Sequence, residues 1–137
     1  MLFNHFSFPS TDVAATAAFF VEQLGCSAEA FGSSTVLKRG SFDIVIEDAT
    51  GRLGDVVWPE NFHLGFELPS VDALRTLHAR FVLEGVPMKS DLFHHARGSR
   101  FFCEAPGGLL FEMNTRADAE PRYRAGFAHQ ALADTVK

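Results

Sequence analysis

The sequence holds a single Tyr and a single Trp against fifteen Phe. Phe fills a core or lines an apolar cavity without a hydrogen-bond partner, whereas buried Tyr and Trp need one, so the interior is expected to be dry and Phe-rich. Basic charge is also scarce. Twelve Lys and Arg against seventeen Asp and Glu leave a net charge of -5, and without a basic field neither nucleic acid nor an anionic membrane surface is expected as a partner. Long apolar runs are missing as well. The run ending at Val21 falls far short of the roughly 20 residues a bilayer span requires, and Met1 leads directly into strand-like sequence, so no signal peptide or membrane helix is expected. Only two cysteines occur, Cys26 and Cys103; with no export signal they are expected as free buried thiols, and the chain as a cytoplasmic protein. What is present is core material. The 137 residues are 47% hydrophobic and 21% charged, enough for one ordered globular domain.

The chain echoes itself. His5-Phe6-Ser7-Phe8-Pro9-Ser10-Thr11-Asp12 recurs as His63-Leu64-Gly65-Phe66, a Glu67-Leu68 insertion, then Pro69-Ser70-Val71-Asp72. Each copy reads as a strand ending at Pro-Ser, with Ser as the N-cap of a helix and Asp adding charge to its first turn. Val13, Ala17, Phe20, Val21 and Leu24 then recur at helical spacing up to Gly25, and Val71, Leu74, Leu77, Phe81 and Val82 do so up to Gly85. Strands follow in both halves. The first has 35–38, a Gly40-Ser41 turn and 42–47, with Ser27 to Phe31 as a weaker strand; the second has 100–104, a Pro106-Gly107-Gly108 turn and 109–114, with a further strand expected over 87–93. The fold expected is α+β, built of two βαβββ modules: residues 1–48, a linker over 49–60 marked by Gly51, Gly54 and Pro59, and residues 61–116. Residues 117–137 form a tail in which Arg122 to Val136 could make a helix with Tyr123, Phe127 and Ala131 on one side.

Alternation along strands decides which side chains can meet. His5 shares a face with Phe3 and Ser7, His63 with Gly65, and Glu112 with Leu110 and Asn114, all opposite the face that packs on helices. A carboxylate among Leu110, Phe111 and Met113 is costly to bury unless a cation or donors compensate it. Either His alone reads equally as a hydrogen-bonded core residue, but two at equivalent repeat positions with that Glu make a 2-His-1-carboxylate set. Such a set leaves coordination positions open for substrate.

Two strand-helix-strand modules, each opened by a His, and a Pro-Gly-Gly turn before a last strand bearing Glu resemble the vicinal-oxygen-chelate superfamily of glyoxalase I, extradiol dioxygenases, fosfomycin thiol transferases and bleomycin-resistance proteins. The resemblance spans residues 3 to 116. It implies a cup-shaped mixed sheet with helices outside, a homodimer, and one divalent metal ion held by His5 of one subunit with His63 and Glu112 of the other. Iron(II) or manganese is the metal expected ahead of zinc or nickel.

The departures from the family narrow the chemistry. Val45 falls opposite Glu112 in the repeat, so the fourth protein ligand of glyoxalase I-like members is missing. Phe102 stands where extradiol and fosfomycin enzymes commonly carry Tyr, and residues 48–62 lack the extra His of extradiol enzymes. Arg100, Phe102, Ser7, His94 and His95 are the further candidates for binding a small-molecule substrate, although Arg100 also reads as an exposed structural residue, and His94, His95 and Arg97 as a solvated turn. His78 reads as a packed residue of the second helix. The expected function is a metal-dependent enzyme whose substrate chelates the metal through adjacent oxygens, with dioxygenase-like chemistry ahead because an apolar, Phe-lined site suits an aromatic substrate. The alternatives are a metal-free drug-binding resistance protein and a fosfomycin-type thiol transferase.

Overall fold

The computed structural model describes residues 1, 3–40, 42–52 and 56–133. The chain is α+β and divides into two compact units: Met1–Glu60 with Ala105–Leu109, and Asn61–Glu104 with Leu110–Lys137.

The first unit carries β1 (His5–Ser10), α1 (Val13–Leu24), β2 (Ser27–Phe31), β3 (Ser34–Arg39) and β4 (Phe42–Asp48). Its sheet runs β1-β4-β3-β2, with β1 parallel to β4 and the other pairs antiparallel. Alternation works as expected: Phe8 and Ser10 are buried while His5 and Ser7 are exposed. The Phe8 ring lies 6.0 Å from Phe20 of α1 and 5.9 Å from Trp58, and the Trp58 indole N–H donates to Gly107 O at 3.2 Å. The helix start differs from the expectation. Asp12, not Ser10, caps α1 by accepting from Ala15 N at 2.9 Å. The Ser10 hydroxyl instead accepts from Asp12 N and sits 2.8 Å from the Thr16 hydroxyl in the core, so the chain turns for two more residues before the helix can begin. Gly25, at φ 66, ends α1 in the left-handed cap that glycine adopts without strain.

The second unit carries β5 (His63–Glu67), α2 (Val71–Leu83), β6 (Arg100–Glu104), β7 (Leu110–Asn114) and α3 (Pro121–Ala133). Its sheet runs β5-β7-β6, parallel then antiparallel. Here Ser70 is the N-cap, accepting from Ala73 N at 3.1 Å, with Asp72 in the first turn. Leu74, Phe81, Phe101, Phe111 and Met113 are buried, Phe81 meets Phe101 edge to face at 6.0 Å, and His78 packs on Phe101 at 4.9 Å. Both cysteines are free and buried.

The strand expected over 87–93 does not form. Two isolated backbone pairings, Met88 with Cys103 and Phe93 with Arg100, replace it. Lys89 N and Ser90 N both donate to Phe102 O, and the Ser90 hydroxyl accepts from Phe102 N at 2.9 Å. A side chain has thus taken the place of a ladder carbonyl, which breaks the register between the two pairings. Gly98 fixes the return of this loop: at φ 111, an added Cβ would sit 2.0 Å from Thr115 O. In the tail, α3 forms as expected and Arg116 lies 4.0 Å from the Phe127 ring centroid. The Gly54 and Ser41 positions, the Ala131 side chain and the continuation to Val136 lie outside the described residues. No helix among the described residues is long and apolar enough to cross a membrane.

Candidate functional site

The parallel register of β5 on β7 sets Gly65 beside Glu112, and the antiparallel register of β6 sets Phe102 on its other side. Gly65 contributes no side chain, and a Cβ there would contact Asn114 Nδ2 at 3.6 Å. From two pairs further along the ladder, where Arg100 lies opposite Asn114, Arg100 reaches diagonally to Glu112 Oε2 at 3.1 Å, and Asn114 Nδ2 donates to Oε1 at 2.9 Å. The Arg100 side chain is 9% exposed and that of Glu112 is 12% exposed. At such burial the carboxylate needs these donors to be tolerated.

His63 Nε2 stands 3.8 Å from the same Oε2. Its Nδ1 lies 2.7 Å from Asn61 O, and a carbonyl oxygen only accepts, so Nδ1 carries a proton; Nε2 then keeps its lone pair in the neutral ring and carries a second proton toward Glu112 in the imidazolium. Asn61 has φ 61, the only positive φ outside glycine among the described residues. That left-handed turn, which Asn tolerates better than most residues, positions the carbonyl that fixes the tautomer. Phe102 meets the His63 ring edge to face at 5.5 Å and stacks with Phe93 at 6.4 Å and 21°. These residues, with His95, Arg97 and Leu110, line a cavity of about 450 Å³ in the second unit, within the size range of small-ligand sites.

The expected site residues fall in different places. His63 and Glu112 come together. His5 belongs to the first unit, where its Nδ1 lies 2.7 Å from Asn4 Oδ1. Ser7 is also in the first unit and donates to Glu47 at 2.7 Å. The register pairs Ser7 with Val45 as it pairs Gly65 with Glu112, so the repeat position opposite Glu112 is apolar. Arg100 is not an exposed structural residue, because the β-ladder buries it against Glu112. Phe102 and His95 line the cavity; His94 is absent from its lining and pairs with Asp118 at 3.0 Å. Arg97, which by sequence reads either as a substrate contact or as part of a solvated turn, lines the cavity, whereas Asn61, Phe93 and Asn114 are not among the sequence candidates. Of these, Asn114 was within reach, since residues two apart on a strand share a face.

Asp118 ties the 93–99 loop down. Burial alone would push its carboxyl up, but the hydroxyl of Ser99 at 2.6 Å, the Ser99 N–H at 2.9 Å and His94 together hold it below the usual carboxylate range. The Ser99 hydroxyl points to the carboxylate rather than to a histidine base, so this trio is a clamp and not a nucleophile with its base. Cys103 is no nucleophile either: burial pushes its thiol up to about 12, which keeps the thiolate out of reach.

The donors present fit a divalent ion. In its neutral form His63 offers a bare nitrogen whose other ring nitrogen is anchored on a carbonyl, the usual outer partner of a ligating imidazole. An ionised carboxylate has about four acceptor positions, and Arg100 and Asn114 use two. Among the described residues no three His, Cys, Asp or Glu side chains stand close enough together to hold a metal ion.

Comparison with known proteins places the fold. The structure is similar to that of a possible glyoxalase from Bacillus cereus (TM-score 0.69, 22% identity, covering 83% of this chain and 98% of that one). It is also similar to a glyoxalase/bleomycin resistance protein/dioxygenase from Alicyclobacillus acidocaldarius (0.65, 22%, 87% and 92%) and to lactoylglutathione lyase from Agrobacterium tumefaciens (0.66, 14%, 83% and 92%). None of the curated proteins matches in sequence. The sequence profile of one family covers residues 2–113, most of the chain and every strand but for the last residue of β7. The chain belongs to the Glyoxalase/Bleomycin resistance protein/Dioxygenase superfamily.

Proposed function

We propose that the chain is a divalent-metal-dependent enzyme acting on a small molecule that presents two neighbouring oxygens, with His63 and Glu112 as ligands and His5 of a second copy as the third. The observation that carries this reading is His63 Nε2 standing 3.8 Å from Glu112 Oε2 with Nδ1 anchored on Asn61 O. Positive charge belongs between that nitrogen and that oxygen, as a proton in the imidazolium or as a metal ion in its place, and Arg100 supplies charge to the carboxylate alone. When bound, a divalent ion with three protein ligands supplies Lewis acidity and, as iron(II), the redox chemistry of dioxygen. The chain's own residues do the rest. Asn61 orients His63, Arg100 and Asn114 orient Glu112, and Phe93, Phe102 and Leu110 give the cavity its apolar lining. That aromatic lining favours an oxygenase acting on an aromatic substrate over a transferase acting on a polar one.

Elemental analysis of protein purified without added metal tests the reading. The parent should hold one divalent ion per chain and His63→Ala should hold far less; an equally metallated His63→Ala overturns it. Anaerobic reconstitution with iron(II) and a panel of catechols and hydroquinones, followed by oxygen uptake, then tests the oxygenase branch. A second reading, a metal-free binding protein, is favoured by one specific observation: Arg100 at 3.1 Å and Asn114 at 2.9 Å already satisfy Glu112. A metal-free parent that still binds an aromatic compound would establish it.

A further inference from the structure

We infer that the cavity of the second unit is built for an aromatic anion whose charged group is held by Arg97 and His95. The inference rests on this cavity being the ligand site proposed above, and not on a metal being bound there.

Charge comes first. The ionic side chains lining the cavity are Arg97, Arg100 and Glu112. Arg100 and Glu112 cancel each other through their 3.1 Å ion pair. Arg97 has no ion-pair, hydrogen-bond or ring partner for its side chain among the described residues, and its charge is left over. A cavity with one uncompensated guanidinium favours an anion over the neutral or cationic form of the same molecule.

The second argument concerns proton placement. Arg97 N donates to His95 Nδ1 at 3.1 Å. A ring nitrogen that accepts cannot carry a proton, so the proton of His95 is on Nε2, and that N–H has no acceptor among the described residues. The backbone contacts of the two cavity histidines thus differ: His63 has its proton on Nδ1, and His95, whose Nδ1 accepts, has it on Nε2. One loop supplies an N–H donor and a guanidinium two residues apart, both unpaired and both lining the same cavity. That pair matches a carboxylate, a phenolate or another oxyanion.

The third argument concerns shape. Phe93 and Phe102 stack with centroids 6.4 Å apart at 21°, which puts two near-parallel aromatic rings in the lining, and Leu110 extends its apolar part. Phe93 is 39% exposed although it is a large apolar ring, as expected of a face that a planar ligand covers. Phe93, His95 and Arg97 alternate along the same loop. The ring and the donors are consequently carried together, with spacing set by the Asp118 clamp.

The test uses protein treated with a chelator and dialysed, titrated with benzoate, with its neutral isostere benzamide and with the non-aromatic anion cyclohexanecarboxylate, each followed by calorimetry or ligand-observed NMR. Benzoate should bind at least about tenfold tighter than either comparison compound. Arg97→Gln, a change at an exposed side chain without partners, should keep the parent melting temperature, lose about tenfold in benzoate affinity and leave benzamide unchanged. Phe93→Ala should weaken benzoate and benzamide alike. Benzamide binding as tightly as benzoate, an unaltered benzoate affinity in Arg97→Gln, or no benzoate binding at millimolar concentration would each overturn the inference. Metal content measured on untreated samples separates the two proposals. Metal present without a preference for benzoate removes only the aromatic anion; benzoate preference in a parent that carries no metal removes only the metal.

Discussion

Arg100 is the residue on which the two readings of the site divide. Its guanidinium is buried beside Glu112, and breaking a buried pair by deleting one partner typically costs about 3–5 kcal/mol because a charge is left uncompensated. Arg100→Met should therefore lower unfolding stability by about 3 kcal/mol in the absence of metal. If Glu112 is a metal ligand, a dication supplies the charge that the variant lacks. Manganese should then raise the melting temperature of Arg100→Met more than that of the parent, and bind it more tightly. Equal metal stabilisation of the two proteins, measured by thermal melts with and without manganese, would show that the ion does not use Glu112. The same residue marks a limit of the sequence. A Glu isolated among Leu110, Phe111 and Met113 announces that something must compensate it, and His63 can be found through the repeat. Arg100 cannot be paired with Glu112 until the register across the 105–109 turn is known, and that turn, with positive φ at both Gly107 and Gly108, is not one whose length alone fixes the register. Nor does sequence reveal that Asn61 adopts φ 61 and so fixes the proton on His63.

At the scale of elements, periodicity locates the helices and strands that bury one apolar face, leaves β2, exposed along its whole length, as a weaker signal, and fails where a polar side chain competes with the backbone. Ser10 and Ser70 occupy the same repeat position, yet only Ser70 caps a helix, since Ser10 is drawn into the core by Thr16. Ser90 interrupts the strand expected over 87–93 in the same way. That interruption leaves the 93–99 loop without a ladder, held at its far end by Asp118. A carboxylate whose folded pKa is depressed contributes stability that is fully present above its unfolded value, near 3.8, and is lost as pH falls through the lower folded value. Urea unfolding should thus be insensitive to Asp118 protonation above about pH 5 and should weaken progressively below about pH 4. Asp118→Asn should cost about 1–2 kcal/mol at neutral pH and flatten that acid limb. Hydrogen exchange should show the added opening at 93–99 first, and a variant that keeps the parent's acid limb would show that other carboxylates set it.

For the whole molecule, the proposed metal site needs a third ligand from outside the second unit. The two units repeat one feature, since His5 and His63 each have Nδ1 bonded to a nearby oxygen, which leaves Nε2 as the nitrogen that could ligate. Only the second unit has the carboxylate, Val45 holding the corresponding place in the first. A homodimer that joins the first unit of one copy to the second unit of the other would complete each site with one His5 and one His63-Glu112 pair. Apolar side chains that association would cover are available: Phe31 is 55% exposed on β2, an edge strand with every side chain exposed, and such edges are usually covered or blunted. Mixing two defective proteins tests the assembly. His5→Ala and His63→Ala should each bind little metal as homodimers. When they are mixed, unfolded and refolded together at equal amounts, about half of the dimers should be mixed ones, and each mixed dimer should have one site with both histidines intact, so that about a quarter of all sites regain metal. Sites built within a single chain would regain none, because every chain carries one broken ligand. Metal content of the refolded mixture, alongside sedimentation to establish the dimer, therefore decides the architecture without knowledge of the substrate.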